Sequence, residues 1–299
     1  MRNTRGSLQK QCALFRIGGW LLAFILLLSG CAGSGPGGID IIKTVQTIEK
    51  VAQSFQDISP EQEYYLGRAF GATVAGQYAV YDHPETTAYL NLLGQTLAQA
   101  SDRPETFGGY HFAILDSDEI NAFAAPGGLI FVTRGILRCA QNEDALAAVL
   151  AHEIGHVQHK HGLQAIKESR VSSVLTSLAL EEVQARTSGT VSSLTSLFQD
   201  SITDMTTTII HNGYSRAFER EADKAAITIM TRVGYDPNGL VDMLRIMETR
   251  LNPSGLDFAR THPSPSNRIK DIQKIIGSYI EVKTPEARQK RFEAAIGNI

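Results

Sequence analysis

Apolar residues return every three or four positions over most of this chain, the spacing of helices that bury one face. Ile39, Ile42, Val45, Ile48, Ala52 and Phe55 predict a first helix. Ser59-Pro60-Glu61-Gln62 opens a second, with a capping serine, proline at the first helical position and glutamine at the third. A third is expected from Glu85 to Ala100. The period then shortens to two. Tyr110 to Leu115 alternates and predicts a strand; Leu129 to Val132, after Pro126-Gly127-Gly128, predicts another, paired as a hairpin or in a small sheet. Helical spacing resumes at Leu146, Val149, Leu150, Ile154 and Val157, giving a helix from Asn142 to His161. Asn142 can cap it, Glu143 and Asp144 suit its positive end, and Gly162 is expected to stop it. Further helices are expected from Tyr214 to Val233, from Gly239 to Arg250, and from the turn His262-Pro-Ser-Pro265 to Ile276. The Ser- and Thr-rich stretch 169–208 reads as amphipathic helices or a lid. The fold class is therefore α+β, mainly helical, with a small sheet or hairpin beside the 142–161 helix. One domain is expected over 39–280, followed by a helical tail over 281–299.

The first thirty residues follow another pattern. Arg2, Arg5, Lys10 and Arg16 are the only charges before Asp40, and Trp20 to Leu28 is a short apolar run. Nine residues span ~14 Å as a helix, far less than the ~30 Å of a bilayer core. A basic flank with a short apolar run is the layout of a secretory signal. It ends Leu28-Ser29-Gly30-Cys31, which resembles the bacterial lipobox, with Cys31 as the thiol to be acylated. Residues 1–30 are thus expected to be a lipoprotein signal peptide, and 31–38 an acylated cysteine with a flexible Gly-rich tether. Cleavage before Cys31 leaves 24 Lys and Arg against 31 Asp and Glu, a charge of −7. The residue after Cys31 is Ala32, as in lipoproteins sent to the outer membrane.

Composition narrows the function. The whole chain has 299 residues, a formal charge of −3 and no later basic block, which argues against nucleic-acid binding. Three cysteines cannot build a disulfide framework.

The chemistry is concentrated at His152-Glu153-Ile154-Gly155-His156. Two imidazoles four apart share a helix face and can bind one metal ion, while Glu153 can take a proton from water on that ion. A catalytic zinc wants a third protein ligand and an open fourth position. Glu219-Arg220-Glu221-Ala222-Asp223 supplies Glu219 as that ligand, with Glu221 as runner-up, and Asp223 one turn on to orient a ligand histidine. The HExxHxxGxxH pattern is excluded, because positions 159 and 162 hold His159 and Gly162. His159 and His161 read as helix C-terminal residues favoured by the dipole.

HExxH, Glu219-x-x-x-Asp223 and His262-Pro-Ser-x-x-x-Arg268 together resemble the zinc metallopeptidase family of the CAAX prenyl endopeptidase, the HtpX heat-shock protease and the bacterial periplasmic lipoprotein metalloproteases. Asn121 to Leu137 is similar to that family's strand ahead of the zinc helix, and Tyr214-Ser-Arg216 to the segment before its third ligand. The resemblance covers roughly residues 60–275. It implies a zincin-like fold and one Zn²⁺ held by His152, His156 and Glu219. It also implies that Glu153 accepts a proton from zinc-bound water and passes it to the leaving amine. Asp223 would orient a ligand histidine, and His262 and Arg268 would meet the oxyanion. The strand around Leu129 to Val132 would bind substrate backbone as an added strand. The expected protein is a lipid-anchored zinc endopeptidase of the bacterial envelope, facing the periplasm at the outer membrane. Its expected substrates are misfolded or misassembled envelope proteins. The other class kept open is a chaperone-like or scaffold lipoprotein with little turnover.

Overall fold

The computed structural model describes residues 58–167, 202–203, 206, 209–210, 213–250, 262, 265–277 and 286–299. The signal segment, Cys31 with its tether, the expected helix at 39–55, most of 169–208, and Pro263 and Ser264 lie outside the described residues.

Helix α1 (Pro60–Gln77) starts with the expected capping box. Gln62 N–H donates to Ser59 Oγ at 3.1 Å, and Ser59 N–H donates to Gln62 Oε1 at 2.9 Å. Its buried Glu63 accepts two 2.8 Å bonds from Arg103 and one of 3.2 Å from Gly127 N–H. After α2 (Pro84–Gln99) come three strands, β1 (His111–Leu115), β2 (Ala122–Ala124) and β3 (Leu129–Thr133), in the order β1-β3-β2. The two expected strands, β1 and β3, are neighbours, but they run parallel, so they form a sheet and not a hairpin. The antiparallel partner of β3 is β2, three buried residues too short to show a period of their own. β3 is therefore the middle strand, its backbone paired on both sides, and cannot accept an added peptide strand as expected. Gly127 and Gly128, at φ 78° and 101°, make the turn from β2 to β3 that side-chain-bearing residues rarely adopt. α1 lies so close to this turn that a Cβ on Gly67 would meet Pro126 O at 1.9 Å.

A short α3 (Arg134–Leu137) precedes α4 (Glu143–Gln158), which Asn142 caps through a 2.8 Å bond from Ala145 N–H. Every residue of α4 from Glu143 to Val157 is buried, so the apolar stripe read from the sequence is one side of a helix enclosed all round. α4 ends earlier than expected. His159 is its C-cap, Lys160 takes a left-handed φ of 56°, and the backbone is helical again from 161 to 167, with Gly162 inside that stretch. The left-handed residue, and not the glycine, stops the helix.

Against α4 packs α5 (Arg216–Arg232), capped by Ser215, followed by α6 (Asn238–Arg250), α7 (Pro265–Ile276) and α8 (Glu286–Ile296). At the α4–α5 crossing a Cβ on Gly155 would stand 3.0 Å from Ala222 Cα and O, so small residues set the approach. The main core lies between α2, one sheet face, α4, α5 and α6. A second cluster, with Phe70, Phe123 and Phe131, fills the space between the sheet and α1. Phe292 and Ile296, one turn apart on α8 in the expected tail, are buried in the main core.

Candidate metal centre

α4 presents His152 and His156 on one face, with their Nε2 atoms 3.1 Å apart. α5 brings Glu219 against both: Oε2 is 3.5 Å from His152 Nε2, and Oε1 is 3.4 Å from His156 Nε2. His262, just before α7, adds its Nε2 at 3.6 Å from Glu219 Oε1. One donor atom from each of these four residues lies within 4.8 Å of the others, and all four side chains are buried.

The arrangement fits a metal ion. Donors about 2.1 Å from one tetrahedral ion are about 3.4 Å apart, close to the spacings seen. Asp223 Oδ1 lies 3.0 Å and Arg268 Nη2 3.2 Å from His152 Nδ1; the carboxylate can only accept, so the nearer contact is made with the proton on Nδ1, which leaves Nε2 to face the cluster. Lone pairs and a carboxylate facing each other at these distances repel unless a cation lies among them. Both oxygens of Glu219 and both of Glu153 are buried without a hydrogen-bond partner among the described residues, an expensive state for carboxylates that a bound cation would relieve.

Arg268, on α7, forks onto Asp223. Its Nε donates to Oδ2 at 3.0 Å and its Nη2 to Oδ1 at 2.6 Å, while Nη1 lies 3.6 Å from Glu219 Oε2. Burial would raise the Asp223 carboxyl, but the guanidinium and the His152 bond bring it down to about 2. Burial likewise opposes the charge on Glu219, yet His262, His152, His156 and Arg268 hold it well below the usual range. Burial pushes Glu153 up to about 7 and His156 down to about 4. Burial and Arg268 also act against a charged His152, but its carboxylate neighbours outweigh them and raise it to about 9. Burial thus keeps His156, His262 and Glu153 toward their neutral forms, while the carboxylates beside His152 favour its charged form.

The structure brings His152, His156, Glu219 and His262 together. Glu153 stands beside them, 4.0 Å from His262 Nε2, and Asp223 and Arg268 lie behind His152. Glu221 is not in this group. Its exposed carboxylate is 3.0 Å from His161 Nε2. His161, read from sequence as a helix end, is fully buried with its Nδ1 2.9 Å from His156 Nδ1. Tyr214, the residue before the α5 cap, stacks on the His156 ring at 4.3 Å between centroids.

The model of peptidase family M48 matches residues 84–276. Over 252 residues the chain is 28% identical to a beta-barrel assembly-enhancing protease of Escherichia coli K12, covering 76% of this chain and 49% of that protein. A protein of Vibrio cholerae described as a putative beta-barrel assembly-enhancing protease is 27% identical over 230 residues, 75% of this chain and 46% of its own length. Mitochondrial metalloendopeptidase OMA1 of Schizosaccharomyces pombe is 29% identical over 242 residues, 79% of this chain and 65% of that protein. The chain spans about half the length of the bacterial relatives it matches.

Proposed function

The chain belongs to peptidase family M48 and carries its metalloendopeptidase domain, and on that premise we propose that it hydrolyses peptide bonds of misfolded or misassembled envelope proteins with zinc as its metal. Two histidines and a carboxylate with a further position beside them are the donor set of catalytic zinc. When bound there, zinc acts as a Lewis acid that makes water acidic and polarises a carbonyl. His152, His156 and Glu219 would hold it. Glu153 takes the proton from the attacking water and returns it to the leaving amine. Asp223 fixes the ring of His152, and Arg268 holds Asp223 in place, which removes two of its N–H groups from the expected oxyanion contact. His262 lies among the donors, which supports a resting place at the fourth position and a later contact with the oxyanion. Of the two sheet edges, β1 is partly paired with residues 79–81, so the edge that an extended substrate could join is β2, next to α4, and not β3.

The observation that carries this reading is the convergence of donor atoms from His152, His156 and Glu219, with the unbonded carboxylate of Glu153 next to them. The test is Glu153→Gln. Zinc content should be kept, and cleavage of a fluorescently labelled unfolded protein should be lost, because a carboxamide keeps the shape but cannot take the proton. Undiminished cleavage would refute the assignment. Full cleavage after zinc removal by chelator would remove the metal from the reaction. Loss of proteolysis in no variant, because the parent itself does not cleave, would favour the chaperone-like alternative.

The membrane part of the proposal rests on the sequence. No helix among the described residues is long and apolar enough to cross a bilayer. Attachment at the periplasmic face of the outer membrane is proposed to come from lipid on Cys31. Cys31→Ala should leave a larger precursor without lipid label; normal labelling of that variant would rule the anchor out.

A further inference from the structure

His156 and His161 are five residues apart. In an unbroken helix they would point roughly 140° away from each other. The left-handed turn at Lys160 ends α4 and re-aims the next residue, so that His161 folds back onto His156. The imidazole of His161 is fully buried and held in place by ring stacking. The Phe218 ring lies 4.4 Å away at 10°, and the His159 ring 5.4 Å away at 16°. Its two nitrogens are then 2.9 Å from His156 Nδ1 and 3.0 Å from Glu221 Oε2.

We propose that His161 and Glu221 are positioning residues that fix the ring and tautomer of His156, an assignment that rests on the metal-site reading above. The proton positions follow from what each group can do. Glu221 as a carboxylate only accepts, so His161 donates from Nε2 and is left with a lone pair on Nδ1. That lone pair accepts from His156 Nδ1–H. His156 Nε2 is then bare, and it is the nitrogen that faces Glu219 and His152 Nε2. A ligand histidine is commonly held by a carboxylate or carbonyl at its other nitrogen. His152 meets this need directly through Asp223. His156 meets it through an intervening imidazole, with the carboxylate one residue further out at the surface. The relay also gives Glu221, the runner-up ligand, a task that does not need it to reach the metal. Two residues on from Glu219, it leaves α5 toward a different side, where His161 waits.

The test measures zinc affinity of the full-length protein by competition with a chromophoric chelator, beside zinc stoichiometry by elemental analysis and melting of the chelator-treated protein. His161→Leu keeps the bulk and removes the acceptor, and should weaken zinc binding about tenfold or more, in the range of lost outer partners. His161→Asn places an amide oxygen near the old Nδ1 and should recover most of the loss. Glu221→Ala alters an exposed side chain, cannot unfold the domain, and should weaken binding roughly threefold to tenfold. If His161→Leu does not fold, Glu221→Ala and His161→Asn decide. Unchanged affinity in His161→Leu and Glu221→Ala, with zinc lost in Glu219→Ala, would overturn the relay and leave the metal centre standing. Zinc retained in both Glu219→Ala and His156→Ala would overturn the metal reading itself. Two zinc ions per chain in the parent and one in His161→Leu would show that His159, His161 and Glu221 bind an ion of their own, and the relay would fall.

Discussion

Replacing Arg268 by alanine separates two tasks that an arginine near a metal can have. Its side chain and that of Asp223 are only 4% and 3% exposed, and the fork between them is closed at 3.0 and 2.6 Å. Removing one partner of such a pair leaves the buried Asp223 carboxylate with only His152 beside it, and breaking a buried pair typically costs about 3–5 kcal/mol. For a domain of this size that amounts to a fall in melting temperature of roughly 6–20 °C. Glu219, 3.6 Å from Nη1, also loses a positive neighbour, so the cost should be largest in chelator-treated protein and smaller with zinc bound. Arg268→Lys should recover only part of the loss, since one ammonium cannot reproduce the planar fork. The assay is calorimetric or fluorescence melting of parent and variants, with and without chelator, beside zinc content and turnover. A melting temperature within about 2 °C of the parent in chelator, together with a lower turnover, would refute this reasoning and return Arg268 to the oxyanion.

Two other predictions concern the scaffold. Gly155→Ala adds a Cβ 3.0 Å from the backbone of Ala222, so α4 and α5 must part by a few tenths of an ångström. Overpacking at ~1–3 kcal/mol, partly offset by ~1 kcal/mol of helix propensity, should lower the urea midpoint and weaken zinc binding, because the third ligand moves with α5; an unchanged midpoint and affinity would show that the crossing gives freely. Glu143, at the start of α4, accepts from Tyr235 at 2.6 Å, from Tyr89 at 2.9 Å and from Arg291 of α8. Burial opposes its charge, but these donors win and hold its carboxyl below the ordinary value. Its contribution is therefore complete above the usual glutamate range near pH 4.3 and is lost as pH falls through the lowered folded value. Glu143→Gln should be less stable than the parent at pH 7, and the gap in denaturant midpoint should close on acidification below pH ~4; a gap that widens in acid would reverse the sign argued here.

Much of the helical frame was legible because its signals are local. Ser59, Pro60 and Gln62 cap α1 within one turn, and Asn142 with two acids marks the start of α4. The sheet was less so, since the parallel pairing of β1 with β3 depends on a three-residue strand, Ala122–Ala124, which is too short to show alternation and is buried on both sides. The end of α4 was misread for a related reason. A glycine at 162 is the usual stop, but here a lysine takes the left-handed conformation, and nothing in its side chain announces that. His161 was lost with it, because residues five apart do not meet on a straight helix. The place of α8 in the core was hidden by a stretch of charged residues in which Phe292 and Ile296 are the two buried side chains.

The two histidines of α4 proposed as ligands depend on α5 in different ways. Glu219 and Asp223 lie one turn apart on α5, so the proposed third ligand and the carboxylate beside His152 Nδ1 move as one body. A shift of α5 along α4 therefore cannot misplace one without the other. The site then tends to be fully assembled or fully lost, which is what a buried cluster of charges requires. His156 depends on both helices, since His161 continues the chain of α4 and stacks on Phe218 of α5, while Glu221 comes from α5. The small residues Gly155, Ala222 and Ala225 at the crossing thus matter to the proposed metal centre as much as the donors do. They set the distance over which carboxylates on one helix meet imidazoles on the other. A larger side chain at any of the three would act on zinc affinity through geometry alone, with every donor still present.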